Sequence, residues 1–410
     1  MLSIEVKYKM EQKTKIKGDI HYVGVNDRES HLFEGLWPLP YGVSYNSYLI
    51  VDEMVALVDT VEICYCEEYL HKIKQILGNR PIDYLVINHM EPDHSGSIKM
   101  IKEHYPNIII VGNKQTFGMV EGFYGITGEQ YLVGDGDFLK LGKHQLRFYM
   151  TPMVHWPETM MTFEEKTGTL FSGDAFGTFG ALNGGFIDKR INVSIYWDEM
   201  IRYYSNIVGK YGSPVQRALK KLGDLPIHVI CSTHGPVWTE EDKIKKVIDI
   251  YNDLSLYNAK EGVVIIYGTM YGNTEAMAEE IASDLSAMGI KDIVLHNSNK
   301  SDPSYIIADV FRYKGLIIGS PTYNGQIYPR IEGIISDILL RDIKNRYLGY
   351  FGSCSWAGAA VKRMADFVTK SKFELVADPI EMKHAMKEIN YEQCAHLAKS
   401  MADRLKKDRK

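Results

Sequence analysis

A chain of 410 residues is too long for one ordinary hydrophobic core and is expected to form two or three domains. With 47 Lys and Arg against 52 Asp and Glu the formal net charge is only −5, and the basic residues are scattered, which argues against a nucleic-acid groove and against a membrane-binding face. No apolar stretch approaches the roughly 20 residues a membrane helix needs, and residues 1–17 are charged and polar where a secretory leader would be apolar, so the expected compartment is the cytoplasm.

Residues 43–52 and 55–59 are two apolar runs separated by Asp52-Glu53, a hairpin pattern. Cys64 and Cys66 follow in a Tyr-rich segment, where alternate burial explains their spacing better than ligation. With Cys231, Cys354 and Cys394 they make five cysteines and no C-x-x-C pair, which excludes a rubredoxin or zinc-ribbon module and disfavours a disulfide framework. Residues 65–77 carry helical periodicity, and Pro81 opens a strand over 83–87. That strand runs into Asn88-His89-Met90-Glu91-Pro92-Asp93-His94-Ser95-Gly96. Pro92 biases Glu91 away from helix, so His89, Glu91, Asp93 and His94 are expected on a turn. Imidazoles and carboxylates packed this closely point to a metal, and mixed nitrogen and oxygen donors suit divalent or trivalent first-row ions better than a thiolate-loving site would. The plain alternative is a polar loop; four groups that resist desolvation, placed directly after a buried strand, argue against it.

Further on, residues 98–104 read as helix and 108–111 and 145–150 as strands, the last ending near His155. A strand over 169–172 runs into Gly173-Asp174, and one over 227–231 runs into Ser232-Thr233-His234-Gly235-Pro236. The residues His89 to His94, His155, Asp174 and His234 therefore each follow the carboxyl end of a predicted strand, and such ends can share one sheet edge. Glycines beside Asp174 and His234 permit close backbone approach. The other histidines, His21, His31, His71, His104, His144, His228, His296, His384 and His396, read as ordinary surface or core residues, with His228, inside a strand, expected to be buried.

A helical stretch over 240–257 leads to a boundary that divides the chain into residues 1–256 and 257–410. An apolar strand over 263–267 enters Gly268-Thr269-Met270-Tyr271-Gly272-Asn273-Thr274, and helical periodicity follows over 275–288. A strand, a hydroxyl- and glycine-rich turn and a helix N-terminus make a phosphate site. Neither G-x-x-x-x-G-K-[ST] nor G-x-G-x-x-G is present, and no Lys or Arg occurs between Glu261 and Ile290, so neutral donors would bind a phosphate monoester better than a triphosphate. Strands over 315–319 and 347–351 enter the loops Ser320-Pro321-Thr322-Tyr323-Asn324-Gly325 and Gly352-Ser353-Cys354-Ser355-Trp356-Ala357-Gly358. This β-α alternation predicts a doubly wound, five-stranded parallel sheet with its ligand at the carboxyl ends of the strands.

Taken together, His89-x-Glu91-x-Asp93-His94, His155, Asp174 and His234 resemble the metal site of the metallo-β-lactamase fold in its flavodiiron variant. The resemblance implies an αββα sandwich in which His89, Glu91 and His155 bind one iron, Asp93, His94 and His234 the other, and Asp174 bridges. Three carboxylates beside four neutral imidazoles would offset the charge of a diferric centre. Zinc hydrolases of this fold usually carry His where Glu91 stands; a dizinc hydrolase joined to a flavodoxin-like domain, and an electron carrier with an inert first domain, are the competing readings. The second portion resembles flavodoxin. That likeness implies flavin mononucleotide (FMN), with Thr269, Met270, Tyr271, Gly272, Asn273 and Thr274 around its phosphate. Pro321, Thr322, Tyr323, Asn324 and Gly325, together with Ser353, Cys354, Ser355, Trp356 and Gly358, would surround the isoalloxazine, with Tyr323 and Trp356 either contacting that ring or packing on the sheet edge. Tyr271 departs from the Ser or Thr usual in free flavodoxins.

Membership of that family would make the protein a flavodiiron reductase with two Fe and one FMN per chain. Its reaction would be the four-electron reduction of O₂ to water, the two-electron reduction of two NO to N₂O, or both. Tyr203, Tyr204 and Trp156 are expected near the ligands as core packing, and no protein acid or base is assigned. The electron donor is expected to be external, rubredoxin or reduced coenzyme F420. The family also implies a head-to-tail homodimer that can pair into a tetramer, in which one subunit's flavin faces the other's metals.

Overall fold

The computed structural model describes residues 13–408, which divide into two compact units: residues 13–204 with Ser213–Asn252, and Ser205–Gly212 with residues 253–408.

The first unit contains two larger sheets whose strands follow one another in chain order. Lys15–Lys17 (β1), Ile20–Tyr22 (β2), Tyr48–Val51 (β3), Val55–Val58 (β4), Tyr84–Val86 (β5), Ile109–Gly112 (β6) and Gln130–Leu132 (β7) form the first. Phe138–Lys140 (β8), Gln145–Met150 (β9), Met160–Glu164 (β10), Thr169–Gly173 (β11) and Val229–Ser232 (β12) form the second. Strands β4, β10, β11 and β12 are buried along their whole length, because both of their faces are covered, and this is why they read as continuous rather than alternating apolar runs. The helix Cys66–Leu77 buries Cys66, Tyr69, Leu70, Ile73 and Leu77, one stripe at helical spacing, and ends at Gly78 with φ +65°. Each such apolar side chain stabilises by roughly 1.5–3 kcal/mol when fully buried. The alternation expected of Cys64 and Cys66 is present, exposed and buried respectively, and all five cysteines are free.

Two sequence expectations need correction. The run over 43–52 is not one strand: Val43–Tyr45 pairs with Val25–Asp27, and only β3 pairs with β4. The break falls at Asn46 and Ser47, whose buried side chains bond Ser232 O, Gly235 O and Asp59 O instead of prolonging the ladder. His228 is exposed, because β12 begins one residue later, at Val229. The buried histidines away from the ligand series are His21, His144 and His296.

The second unit is a parallel sheet covered by helices. Lys260–Tyr267 (β13) lies between Ile293–Asn297 (β14) and Tyr313–Tyr323 (β15); Tyr347–Cys354 (β16) follows, and two short strands, Glu374–Leu375 (β17) and Ile380–Lys383 (β18), share the far edge. This is the 2-1-3-4-5 order of flavodoxin-like sheets, whose ligands sit at the carboxyl ends near the switch between β13 and β15. Val263, Ile265, Ile317 and Phe351 meet Met277, Ile281, Leu397 and Met401 in its core. Gly319 is required there, since a Cβ at that position would meet the Phe351 ring at 2.2 Å. Buried Arg346 donates to the backbone carbonyls of Tyr257, Val310 and Phe311 at 2.7–2.9 Å and so fixes the chain where it enters this unit. No helix among the described residues is long and apolar enough to cross a membrane.

Candidate metal centre and flavin loops

Strand β5 delivers His89 to the carboxyl edge of the first sheet. Glu91 is extended, at φ −58° and ψ 137°, as the following proline demands; Pro92 then starts a one-turn helix, Pro92–Ser95, that holds Asp93 and His94. The expected turn is thus helical in its second half. His155 lies on the loop between β9 and β10, Asp174 directly after β11 and His234 just after β12. Because β11 and β12 are parallel neighbours with Gly173 opposite Ser232, Asp174 and His234 arrive side by side. Gly173, at φ +57°, makes the turn that sends Asp174 inward.

All seven residues come together in two groups. His89, Glu91, His155 and Asp174 each offer a ligand atom within 4.8 Å of the others, and so do Asp93, His94 and His234. Asp174 faces both: its Oδ2 lies 3.0 Å from His155 Nε2 and 3.5 Å from His89 Nε2, and its Oδ1 lies 2.9 Å from His94 Nε2. In the second group Asp93 Oδ2 is 3.2 Å from His94 Nε2 and 3.3 Å from His234 Nε2. Yet both Asp93 oxygens, both His94 nitrogens and His234 Nε2 are buried without a hydrogen-bond partner. Close approach without bonding geometry means that these atoms aim at a common point rather than at one another, as ligand atoms do, and buried polar atoms need such a partner. The donor set therefore fits a pair of first-row metal ions.

The electrostatics agree. Burial opposes charge on His89, His94 and His155, but the facing carboxylates outweigh it; His89 is held well above its ordinary pKa, and His94 and His155 are pushed up to about 9. Burial likewise works against ionised Glu91 and Asp174, and the imidazoles overcome it, holding both carboxyls below their usual range. The site is a well of negative charge that calls for cations.

Several residues around the cluster carry no signal in the sequence. Glu158, 1 % exposed, accepts from His89 Nδ1 at 2.8 Å and from Met90 N at 2.9 Å. Ser44 O accepts from His234 Nδ1 at 2.8 Å, Thr233 donates to Asp174 Oδ1 at 2.5 Å, and buried Asp59 accepts from Asn88 N at 2.7 Å. Glu34 bonds Trp37 Nε1 at 3.0 Å, and its carboxyl is pushed up to about 7, by desolvation first and by neighbouring Glu91 second. Tyr203 lies 5.4 Å from His234, the rings tilted, with its buried hydroxyl unpartnered, Trp156 lies 5.3 Å from His89, and Tyr204 packs instead on Tyr251.

In the second unit one cleft gathers Thr269, Met270, Tyr271, Asn273 and Thr274 with Pro321, Thr322, Ser353, Cys354 and Ser355, and adds His384. Gly272, at φ +88°, caps the helix Asn273–Ala287 without a side-chain bond, so the first helical N–H groups are left for an anion. Thr269 Oγ1 accepts from Gly272 N at 3.0 Å, and Thr274 bonds Ser353 at 2.8 Å, tying two of the loops together. Thr322 accepts from Ala359 N and Ala360 N, so its hydroxyl caps the helix Ala360–Ser371. Asn324 and Gly325, at φ +47° and +69°, make the hairpin turn beside Tyr323. A Cβ at Gly358 would lie 1.9 Å from Glu381 Oε1. Tyr323 is 41 % exposed, Trp356 86 % and Tyr271 89 %, so none of the three is packed away on the sheet.

Fold and site define a metallo-β-lactamase-like domain bearing a carboxylate-rich two-metal cluster, joined to a flavodoxin-like domain. Comparison with known families agrees: residues 43–235 match the ODP family beta lactamase, and residues 265–397 match flavodoxin. A nitric oxide reductase of Moorella thermoacetica is 32% identical over 374 residues, 90% of this chain and 93% of that protein. The structure of the rubredoxin oxygen:oxidoreductase of Desulfovibrio gigas superposes with a TM-score of 0.92 at 31% identity, over 96% of this chain and 98% of that one. That of the flavodiiron protein of Giardia intestinalis does so with a TM-score of 0.90 at 26% identity, over 95% of each chain. The chain belongs to the flavodiiron protein family. Its flavodoxin domain implies FMN, and its His, Asp and Glu cluster fits a diiron site.

Proposed function

We propose that this protein reduces O₂ to water, NO to N₂O, or both, with electrons from a separate donor. The observation that carries the reading is the shared carboxylate: one oxygen of Asp174 faces His155 and the other faces His94, so a single side chain can serve two ions that act on one substrate. The Moorella relative is named for nitric oxide and the Desulfovibrio protein for oxygen, which is why both substrates are kept. His89, Glu91 and His155 would hold one iron, Asp93, His94 and His234 the other, and Asp174 would join them. FMN would lie on the loops at 269–274, 321–325 and 353–358. When bound, the two irons supply Lewis acidity and two electrons and the flavin two more, enough for the four that O₂ needs or the two that a pair of NO needs.

The side chains prepare this chemistry. His89 and His234 donate their Nδ1–H to Glu158 and to Ser44 O, which turns the Nε2 lone pairs toward the cluster. Glu91, Asp93 and Asp174 offset cationic charge, and the buried wall around them keeps bulk water out. Tyr203 offers a hydroxyl donor in that wall. A dizinc hydrolase would be favoured by His at the second position; Glu91 speaks against it.

Rubredoxin or reduced deazaflavin is the donor class we assign, and the free cysteines support a cytoplasmic setting. We place the domain boundary at residues 256/257, a few residues past the division of the compact units at 252/253. A head-to-tail dimer is supported by exposed apolar groups at both ends of the proposed electron path: Tyr271 and Trp356 beside the flavin loops, and Leu32 and Leu36 on the hairpin whose Phe33 packs 5.4 Å from His234. The test is gas consumption by anaerobically purified, iron- and FMN-loaded protein supplied with a reductant. Catalytic uptake of O₂, or of NO with release of N₂O, is expected; uptake of neither would overturn the reading.

A further inference from the structure

The histidines of the cluster are not backed alike. His89 Nδ1 meets a carboxylate oxygen, Glu158 Oε1, at 2.8 Å. His234 Nδ1 meets a neutral carbonyl, Ser44 O, also at 2.8 Å, and His94 Nδ1 is buried with no partner at all. Among the described residues, Glu158 is the one carboxylate paired with the outer ring nitrogen of any histidine in the cluster. It is held there at both ends: the backbone Met90 N donates to the same Oε1 at 2.9 Å, and the Asn113 side chain, through Nδ2, donates to the main-chain Glu158 O at 2.6 Å. Its second oxygen, Oε2, is buried with no hydrogen-bond partner, so the protein's own groups leave this side chain only half satisfied. A carboxylate in that position needs compensation, and a cation held at the other nitrogen of the His89 ring would supply it.

We propose that Glu158 makes the two halves of the cluster unequal, so that the metal held by His89, Glu91 and His155 is bound more tightly, and favours the higher charge, than the metal held by Asp93, His94 and His234. The inference rests on the diiron reading above. An imidazole whose N–H is given to a carboxylate is a stronger donor at its other nitrogen, and the carboxylate adds negative charge in a poorly screened interior. Among the described residues only the first group contains an imidazole backed in this way. The loop between β9 and β10 provides both His155 and Glu158, so one loop supplies a ligand and the backing of a second ligand to the same metal. Glu158 itself touches neither metal nor substrate; it is a positioning residue that acts through His89.

The test is Glu158→Gln, which keeps the shape and one acceptor oxygen and removes the charge. Ferrous ion is titrated anaerobically, against a competing chelator, into metal-free, FMN-loaded protein. The wild type should take up two ions in distinguishable steps, and the variant should lose about 10- to 100-fold in the tighter step while the weaker one stays unchanged. A further 10- to 100-fold loss for the ferric form, beyond that of the ferrous form, converts, at about 59 mV per tenfold, to a rise of about 60–120 mV in the potential of that iron alone. A purely structural role would leave that potential where it is. Should Glu158→Gln not fold, the proteins His155→Ala and His234→Ala make the comparison: the one that keeps the Glu158-backed group, His234→Ala, must hold its remaining ion more tightly. Equal affinities, or equal weakening of both steps, would overturn the proposal, whereas uptake of fewer than two ions by the wild type would overturn the diiron reading beneath it.

Discussion

Asp174 is the residue at which the two ligand groups meet, and nothing beside it can take its place: Thr233 donates to it, and every other carboxylate of the cluster faces one group only. Changes behind a ligand cost about 10–100-fold, so Asp174→Ala should lose more than that in activity, together with at least one metal, while its FMN content stays at the wild-type level. Elemental analysis and the flavin spectrum check both halves; full metal content in that variant would contradict the bridging role. The seven cluster residues are legible in the sequence because each closely follows the carboxyl end of an apolar run, where a polar group has few reasons to be. Glu158, Glu34 and Ser44 are not legible there. Their importance comes from loops distant in sequence meeting in space, as when Glu158 reaches His89 across 69 positions, and a lone Glu or Ser in a loop carries no periodicity or spacing that announces it.

At the scale of elements, His144 ties the two sheets of the first domain together through partners outside the cluster. It sits between β8 and β9, bonds Glu164 at the end of β10 at 2.9 Å, and faces Asp19 from the β1–β2 turn at 3.5 Å, with Lys166 Nζ also at 3.5 Å; its backbone N–H goes to Asp52 of the β3–β4 turn. Burial opposes its charge, but Glu164 and Asp19 outweigh both burial and Lys166 and raise its pKa, while burial of Glu164 is outweighed by His144 and by Thr167, which lowers that one. A histidine raised in the folded state contributes stability that is complete below its unfolded value of about 6.5 and is lost as pH rises through the folded value. The thermal-midpoint difference between wild type and His144→Gln should therefore be larger at pH 6 than at pH 9; a difference that grows toward pH 9 would contradict this. Element type is readable where the hydrophobic period is strong, as the helix Ile98–His104 and the strand Gln145–Met150 illustrate. What misleads is composition near element ends. His228 looks internal because apolar residues flank it, yet pairing starts only at Val229, and the run over 43–52 hides a sheet change that side-chain bonds of Asn46 and Ser47 impose.

For the whole molecule, the proposed electron transfer between subunits makes a prediction that transfer within a single chain does not. Mixing an Asp174→Ala subunit, which keeps flavin, with an Asn273→Glu subunit, whose added charge would repel the phosphate at the helix N-terminus, should restore activity that neither parent shows. In a head-to-tail pair one intact flavin then faces one intact metal site, so up to about half of wild-type activity per mixed dimer is expected. A tagged heterodimer that carries both cofactors and consumes neither O₂ nor NO would contradict transfer across the pair. The chemistry of the whole molecule depends on what the cluster binds, and three carboxylates among seven ligand-type residues, with Glu91 in place of the hydrolases' histidine, fit iron. The most direct measurement is metal and flavin analysis of protein produced with iron and zinc both available and purified without oxygen. About two irons and one FMN per chain are expected; two zinc ions per chain and no iron would contradict the diiron assignment.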